Sequence, residues 1–178
     1  MNEVKLIANN VSKAFRNIIL GVKVKQRTLY ACPESPILIP GIVTGAAYTS
    51  GYCFGTQFAI KVPKQGRLNG AIFFDLDDEG LQTDLEIFSA PIKQVADNAA
   101  FAPTDAELLA LITELQFFAF DDHGTGQTSE VKNFGKDYVC PSGEFRIQAV
   151  ARGVQNIAAG HLPKVQLFIL SDDPDFDG

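Results

Sequence analysis

Asp75, Asp77, Glu79, Gly80 and Glu86 fall at the first, third, fifth, sixth and twelfth places of a loop, the spacing with which an EF-hand offers oxygen atoms to calcium. Hard carboxylate oxygens at alternate positions suit that ion, and a glycine permits the sharp turn such a loop needs. Three features weigh against it. Gln82 stands where an apolar residue ties the loop down, the fifth place carries the longer glutamate, and both flanks alternate like strands where an EF-hand has helices. The segment therefore predicts a solvated hairpin loop, with Asp75, Asp77, Glu79 and Glu86 as candidate calcium ligands.

A second stretch, Gly124 to Ser129 (GTGQTS), echoes the end of a phosphate-binding loop. Gln127 replaces the lysine that reaches the terminal phosphates, and the leading glycine of the spacing falls on Asp121, whose carboxylate repels phosphate. A flexible surface loop is the expectation. No GxSxG elbow occurs, and no serine or cysteine is placed by sequence beside a histidine and an acid. Cys32, Cys53 and Cys140 are odd in number and widely spaced, which predicts small buried hydrophobes rather than disulfides or a zinc site. His123 and His161 read as structural or surface residues. No catalytic residue, cofactor or structural metal is expected, and the chain reads as non-enzymatic.

The elements that must carry these residues are mostly strands. At 178 residues, 46% hydrophobic and 20% charged, the chain fits one domain with one core and no membrane-spanning run. A net charge of −6 argues against a nucleic-acid surface. Lys23, Lys25 and Arg27, the densest basic group, alternate with Val22, Val24 and Gln26 as the wet face of a strand over 22–29. The first residues lack the regions of a secretion signal, so synthesis in a cytoplasm is expected. Asn9 to Leu20 fits either a short helix or an extended arm.

Beyond Leu29 the breakers Pro33, Pro36, Pro40, Gly41, Gly45, Gly51 and Gly55 leave room only for short strands, the pattern of a sandwich or barrel. A turn is expected around Gly66. Strands are expected over 52–60, 69–76, 85–90, 115–120, 138–141, 145–150 and 165–170, with a polar loop over 121–133. One helix is well signalled: Pro103 precedes Thr104, which forms a capping box with Glu107, and Leu108, Leu109, Leu111 and Ile112 supply the buried side of a helix over 104–112. The domain plan is an amino-terminal arm or short helix (1–21), an antiparallel β-sandwich (22–171) and an acidic tail (172–178) that is loosely ordered or lies on a neighbour.

The phrases AYTSGYCFG, GRLNGAIFFD, DLEIFSAPI, DNAAFAPTDAEL, SGEFRIQAVARGV and PKVQLFIL, in that order over residues 45 to 172, resemble a family of tailed-bacteriophage capsid decoration, or cement, proteins. Thr104 stands where that family often has serine. Tyr52 and Cys53 follow Gly51 where an acid is usual, and the amino-terminal portion is longer. The resemblance implies a jelly-roll-like β-sandwich on the capsid exterior of the virion, a homotrimer that clamps neighbouring major capsid proteins, with no role for nucleic acid or membrane. Residues 1–20 and the Pro-rich Cys32 to Gly41 (CPESPILIPG) are then the candidates to extend across a neighbour. The competing expectation is a ligand-binding sandwich, carbohydrate-binding or calcium-stabilised; the chain has no Trp, and 14 Phe against 4 Tyr favour core packing over sugar stacking.

Overall fold

In a computed structural model the described residues are 27–43, 45–154, 156–171, 173 and 176. The expected arm or helix over 1–21 and the basic positions Lys23 and Lys25 lie outside them.

Among the described residues ten strands form two antiparallel sheets. β1 (Thr28–Leu38), β10 (Lys164–Ser171), β3 (Gln65–Asp75), β7 (Gln127–Val131) and β6 (Asp121–Asp122) follow one another in the larger sheet, and β8 (Lys136–Val139) also pairs with β3. The smaller sheet runs β2 (Cys53–Lys61), β9 (Glu144–Ala151), β4 (Thr83–Phe88), β5 (Leu111–Phe117). The pairs are nested in sequence: β1 with β10, β2 with β9, β3 with β7 and β8, β4 with β5. A long hairpin rolled across two sheets gives this order, the jelly-roll arrangement of a β-sandwich. Residues 89–110, between β4 and β5, are its tip.

Alternation supplies the core. Leu68, Ala71 and Phe73 of β3 and Val165, Leu167 and Ile169 of β10 face Leu85 and Ile87 of β4 and Phe145, Ile147 and Ala149 of β9 in one apolar cluster. Two aromatic pairs join the sheets: Phe73 with Phe117, ring centroids 5.5 Å apart, and Tyr138 with Phe145 at 4.6 Å. Phe54, Phe73, Phe88, Phe117 and Phe145 are fully buried, so the excess of Phe over Tyr is core packing.

Four local expectations change. The strand expected over 22–29 is described only from residue 27, and β1 continues through Pro33 and Pro36 to Leu38. Proline is tolerated there because β1 is an edge strand and its register shifts between Cys32 and Ile37. Within the Pro-rich stretch, Cys32, Ile37 and Leu38 pair with β10 of the same chain. Gly66 sits inside β3, not in a turn, because a Cβ there would meet the Leu170 carbonyl at 2.8 Å: glycine admits close approach of β10. The polar stretch 121–133 contains the hairpin of β6 and β7.

The helix is shorter than its apolar spacing predicts. α1 spans Asp105–Leu108, with the Thr104 and Glu107 capping box formed as expected, but it buries no residue. Leu109 is 90% exposed, and Leu111 and Ile112 belong to β5. The β-branched Ile112 and Thr113 favour the strand, and pairing with β4 fixes it. In the tail, Phe176 packs edge-on against Tyr30 at 5.2 Å, and the Tyr30 hydroxyl donates to the Asp173 carbonyl at 3.0 Å. These two residues lie on their own β1.

Gly55 marks the irregularity in β2. It has φ +73, and an added Cβ would lie 2.4 Å from the Pro40 carbonyl oxygen. Gly55→Ala is expected to cost more than about 2 kcal/mol, read as a lowered denaturant midpoint with an unchanged slope.

Candidate functional site

The acidic loop is a corner between sheets. β3 and β4 lie in different sheets, so the residues between them cross the sandwich rather than close a hairpin. Asp75, fully buried at the end of β3, makes that crossing: its carboxylate accepts the amides of Asp77 (3.0 Å), Glu79 (3.1 Å), Gly80 (2.8 Å) and Leu81 (3.2 Å). A carboxylate so occupied stabilises the turn that an Asx side chain favours.

The other candidate calcium ligands point elsewhere. Asp77 Oδ2 accepts the Ala158 amide at 2.7 Å, and Glu79 Oε2 accepts the Asn156 amide at 3.2 Å. His161 Nδ1 lies 2.7 Å from the Leu76 carbonyl oxygen. The corner therefore fastens the segment that follows β9. Glu86 is on β4, on the outer face of the smaller sheet, paired in register with Glu114. Among the described residues no group of three or more His, Cys, Asp or Glu side chains is arranged to hold a metal ion.

GTGQTS forms the turn and first residues of the β6–β7 hairpin. His123 N donates to the Gly126 carbonyl at 3.0 Å, and Gly124 N donates to Asp122 Oδ1 at 2.6 Å. A strand follows where a phosphate-binding loop needs a helix. His123 Nε2 is 3.0 Å from Thr128 Oγ1. All three cysteines are buried and free, and burial pushes the Cys32 and Cys53 thiols up to about 11, far from a reactive thiolate.

Two constellations come from tertiary structure. The first is the joint made by Asp97. Its carboxylate accepts the Val43 amide (2.8 Å), the Gly55 amide (2.6 Å) and the Tyr48 hydroxyl (2.8 Å). Burial and this carboxylate raise the Tyr48 pKa well above the usual phenol range. Beside it Cys53 exchanges backbone bonds with Asn98 and Ala99, and the Phe101 amide donates to the Gly51 carbonyl. Glu107 closes the loop from the other side, accepting the amides of Lys93 and Thr104, which hold its carboxyl below the usual range. A cleft of about 350 Å³ opens here, lined by Ile92, Val95, Phe101, Pro103 and Glu107 among others. Its charged walls are Lys93 and Glu107, and no Ser, Thr, Cys or His side chain lines it. A second groove, about 330 Å³, runs over the outer face of the larger sheet between Leu29, Ile72, Val131 and Phe168.

The second constellation is a carboxylate cluster on the outer face of the smaller sheet. Asp84 and Glu86 on β4 and Glu114 on β5 surround the Arg152 guanidinium, which bonds Asp84 Oδ2 and lies 3.7 Å from Glu86 and 3.9 Å from Glu114. Asp84 is 1% exposed, and its Oδ1 has no hydrogen-bond partner. Burial raises the Asp84 pKa against the pull of Arg152. Glu86 is pushed up to about 7, chiefly by burial and then by the charge of Glu114. Paired carboxylates suit acid–base chemistry, yet neither cleft reaches them. The outward register of Asp84 and Glu86 is visible in the sequence; their meeting with Glu114 and Arg152 is not.

Because Asp75 is spent on four amides, Asp75→Ala is expected to lower stability by about 3 kcal/mol in chemical denaturation. Calcium at about 1 mM is expected to leave the wild-type melting temperature unchanged. No family model matches this chain, and no curated protein matches it.

Proposed function

We propose that this chain is a non-enzymatic structural protein of a phage virion, which decorates the capsid exterior and stabilises it by bridging major capsid proteins as a homotrimer. One observation carries the reading: two of the phrases on which the resemblance rests are a single joint in space. AYTSGYCFG and DNAAFAPTDAEL meet through Asp97 on Tyr48 and Gly55, through Cys53 on Asn98 and Ala99, and through Gly51 on Phe101. Phrases that carry a catalytic site would converge on a cleft with reactive side chains. These converge on backbone bonds that hold the tip of a rolled hairpin in place, a purely architectural demand of the kind a shell-bound subunit makes.

The surface is also suited to broad docking. The groove over β1, β10, β3 and β7 is lined mostly by apolar side chains, and Leu29, Leu108 and Leu109 are exposed. Interfaces use such apolar area, rimmed by polar groups, more than any one polar contact. The second reading, a ligand-binding sandwich, is favoured by the cleft at Phe101 and Glu107, which has one aromatic wall. A glycan array separates the two.

Two measurements check the main reading. The native mass of the purified chain is expected to be that of a trimer, and the trimer is expected to add to undecorated shells and raise their resistance to heat. Deleting residues 1–20 is expected to weaken attachment with the sandwich still folded. A soluble monomer that ignores shells would sink the proposal.

A further inference from the structure

Like charges directly opposite one another on neighbouring strands are destabilising, and β-sheets normally avoid them. Here Glu86 of β4 stands opposite Glu114 of β5, and Asp84 lies two residues along the same face of β4. The groups facing Glu86 can be named from each neighbouring element. β5 brings Glu114, with Gln116 donating to Glu114 Oε1 at 2.5 Å; β9 brings Gln148, opposite Glu86 in register and neutral; the residue after β9 is Arg152. Arg146 of β9 is engaged by Glu144 at 2.8 Å. Arg152 is bonded first to Asp84, so its charge reaches Glu86 and Glu114 only from 3.7 and 3.9 Å. Three carboxylates thus share one guanidinium, and Asp84 Oδ1 is buried without a donor.

Position in the sheet decides what yields. β4 is held on both sides, by β9 and β5, whereas among the described residues β5 is an edge paired in its sheet with β4 alone. We propose that Glu86 and Glu114 form a proton-held latch, in which one shared proton fastens edge strand β5 to β4 and its loss loosens β5 from β4. With the proton in place, one carboxyl donates to the other and the cluster carries Asp84 and one further negative charge against Arg152. Without it, two carboxylates face each other across the strand pair and the cluster gains a full negative charge.

The sign follows from Glu86. Its carboxyl holds a proton in the folded chain up to about 7, while in the unfolded chain it ionises in the ordinary glutamate range. Folding therefore takes up a proton between those limits. Stability falls as pH rises through that window and levels off above it. The raised affinity of Asp84 acts in the same direction.

The test is amide hydrogen exchange of the full chain, corrected for intrinsic rates, at about pH 5.5 and about pH 8.5, on either side of the folded-state value near 7. In the wild type, protection of the β5 amides bonded to β4 is expected to fall by on the order of tenfold at the higher pH, through a local opening that leaves β3 and β10 the better protected at both pH values. Glu86→Gln supplies a permanent donor to Glu114 and is expected to hold β5 protection constant with pH. Glu114→Gln supplies the same donor from the other strand, and serves if the first variant folds poorly. Wild-type protection of β5 that is flat with pH overturns the latch, as does a pH dependence that survives in either variant.

Discussion

Nested pairing imposes one demand on much of this molecule: from β1 through β4, from β5 to β6 and from β8 through β10, successive strands must cross between two sheets whose mean planes lie roughly 10 Å apart. β1, β3 and β10 lie in one sheet and β2, β4 and β9 in the other, so the chain turns a corner each time. Corners leave backbone amides without ladder partners, and buried amides must be satisfied. Two aspartates do this. Asp75 collects the amides of the β3–β4 corner, and Asp97 collects amides from Val43 and Gly55 at either side of the entry to β2. An ionised carboxylate offers several strong acceptor positions in one small group, which no neutral side chain of that size matches.

With the corners fixed, the two inner faces are free to pack by hydrophobic burial alone. Phe73 against Phe117 and Tyr138 against Phe145 cross the gap near its two ends, and Leu and Ile fill the space between. The polar chemistry is correspondingly displaced to the outside. Asp84 and Glu86 alternate with Leu85 and Ile87, and because β4 is an inner strand flanked by side chains from β9 and β5 they are buried on the outer face as well. Burial without enough counter-charge is what raises the proton affinity of Glu86. The tension in the smaller sheet thus follows from its packing. It stands apart from both clefts.

Much of this was legible in the chain. The alternations over 52–60, 85–90, 145–150 and 165–170 and the many breakers determined a β-sandwich, and the Thr104 and Glu107 capping box determined a helix start. These signals are local: side-chain periodicity and a three-residue hydrogen-bond reach. Buried cysteines and a core of Phe were equally readable, because residue type alone biases burial.

Only the tertiary structure decided the remainder, and each reversal has a long-range cause. The acidic stretch expected as a hairpin loop became a corner because β3 and β4 belong to different sheets, and Asp75 accepts the amides of that turn. Leu111 and Ile112, apolar at helical spacing after a good cap, became strand residues because β4 offered an unpaired edge. Pro33 and Pro36 were accommodated in β1 because its register shifts there at the rim of the sheet. Asp97 meets Tyr48 and Gly55 across more than forty residues, and Arg152 meets Asp84 across sixty-eight. Periodicity fixes which face a residue takes; it carries no information about which distant strand that face will meet.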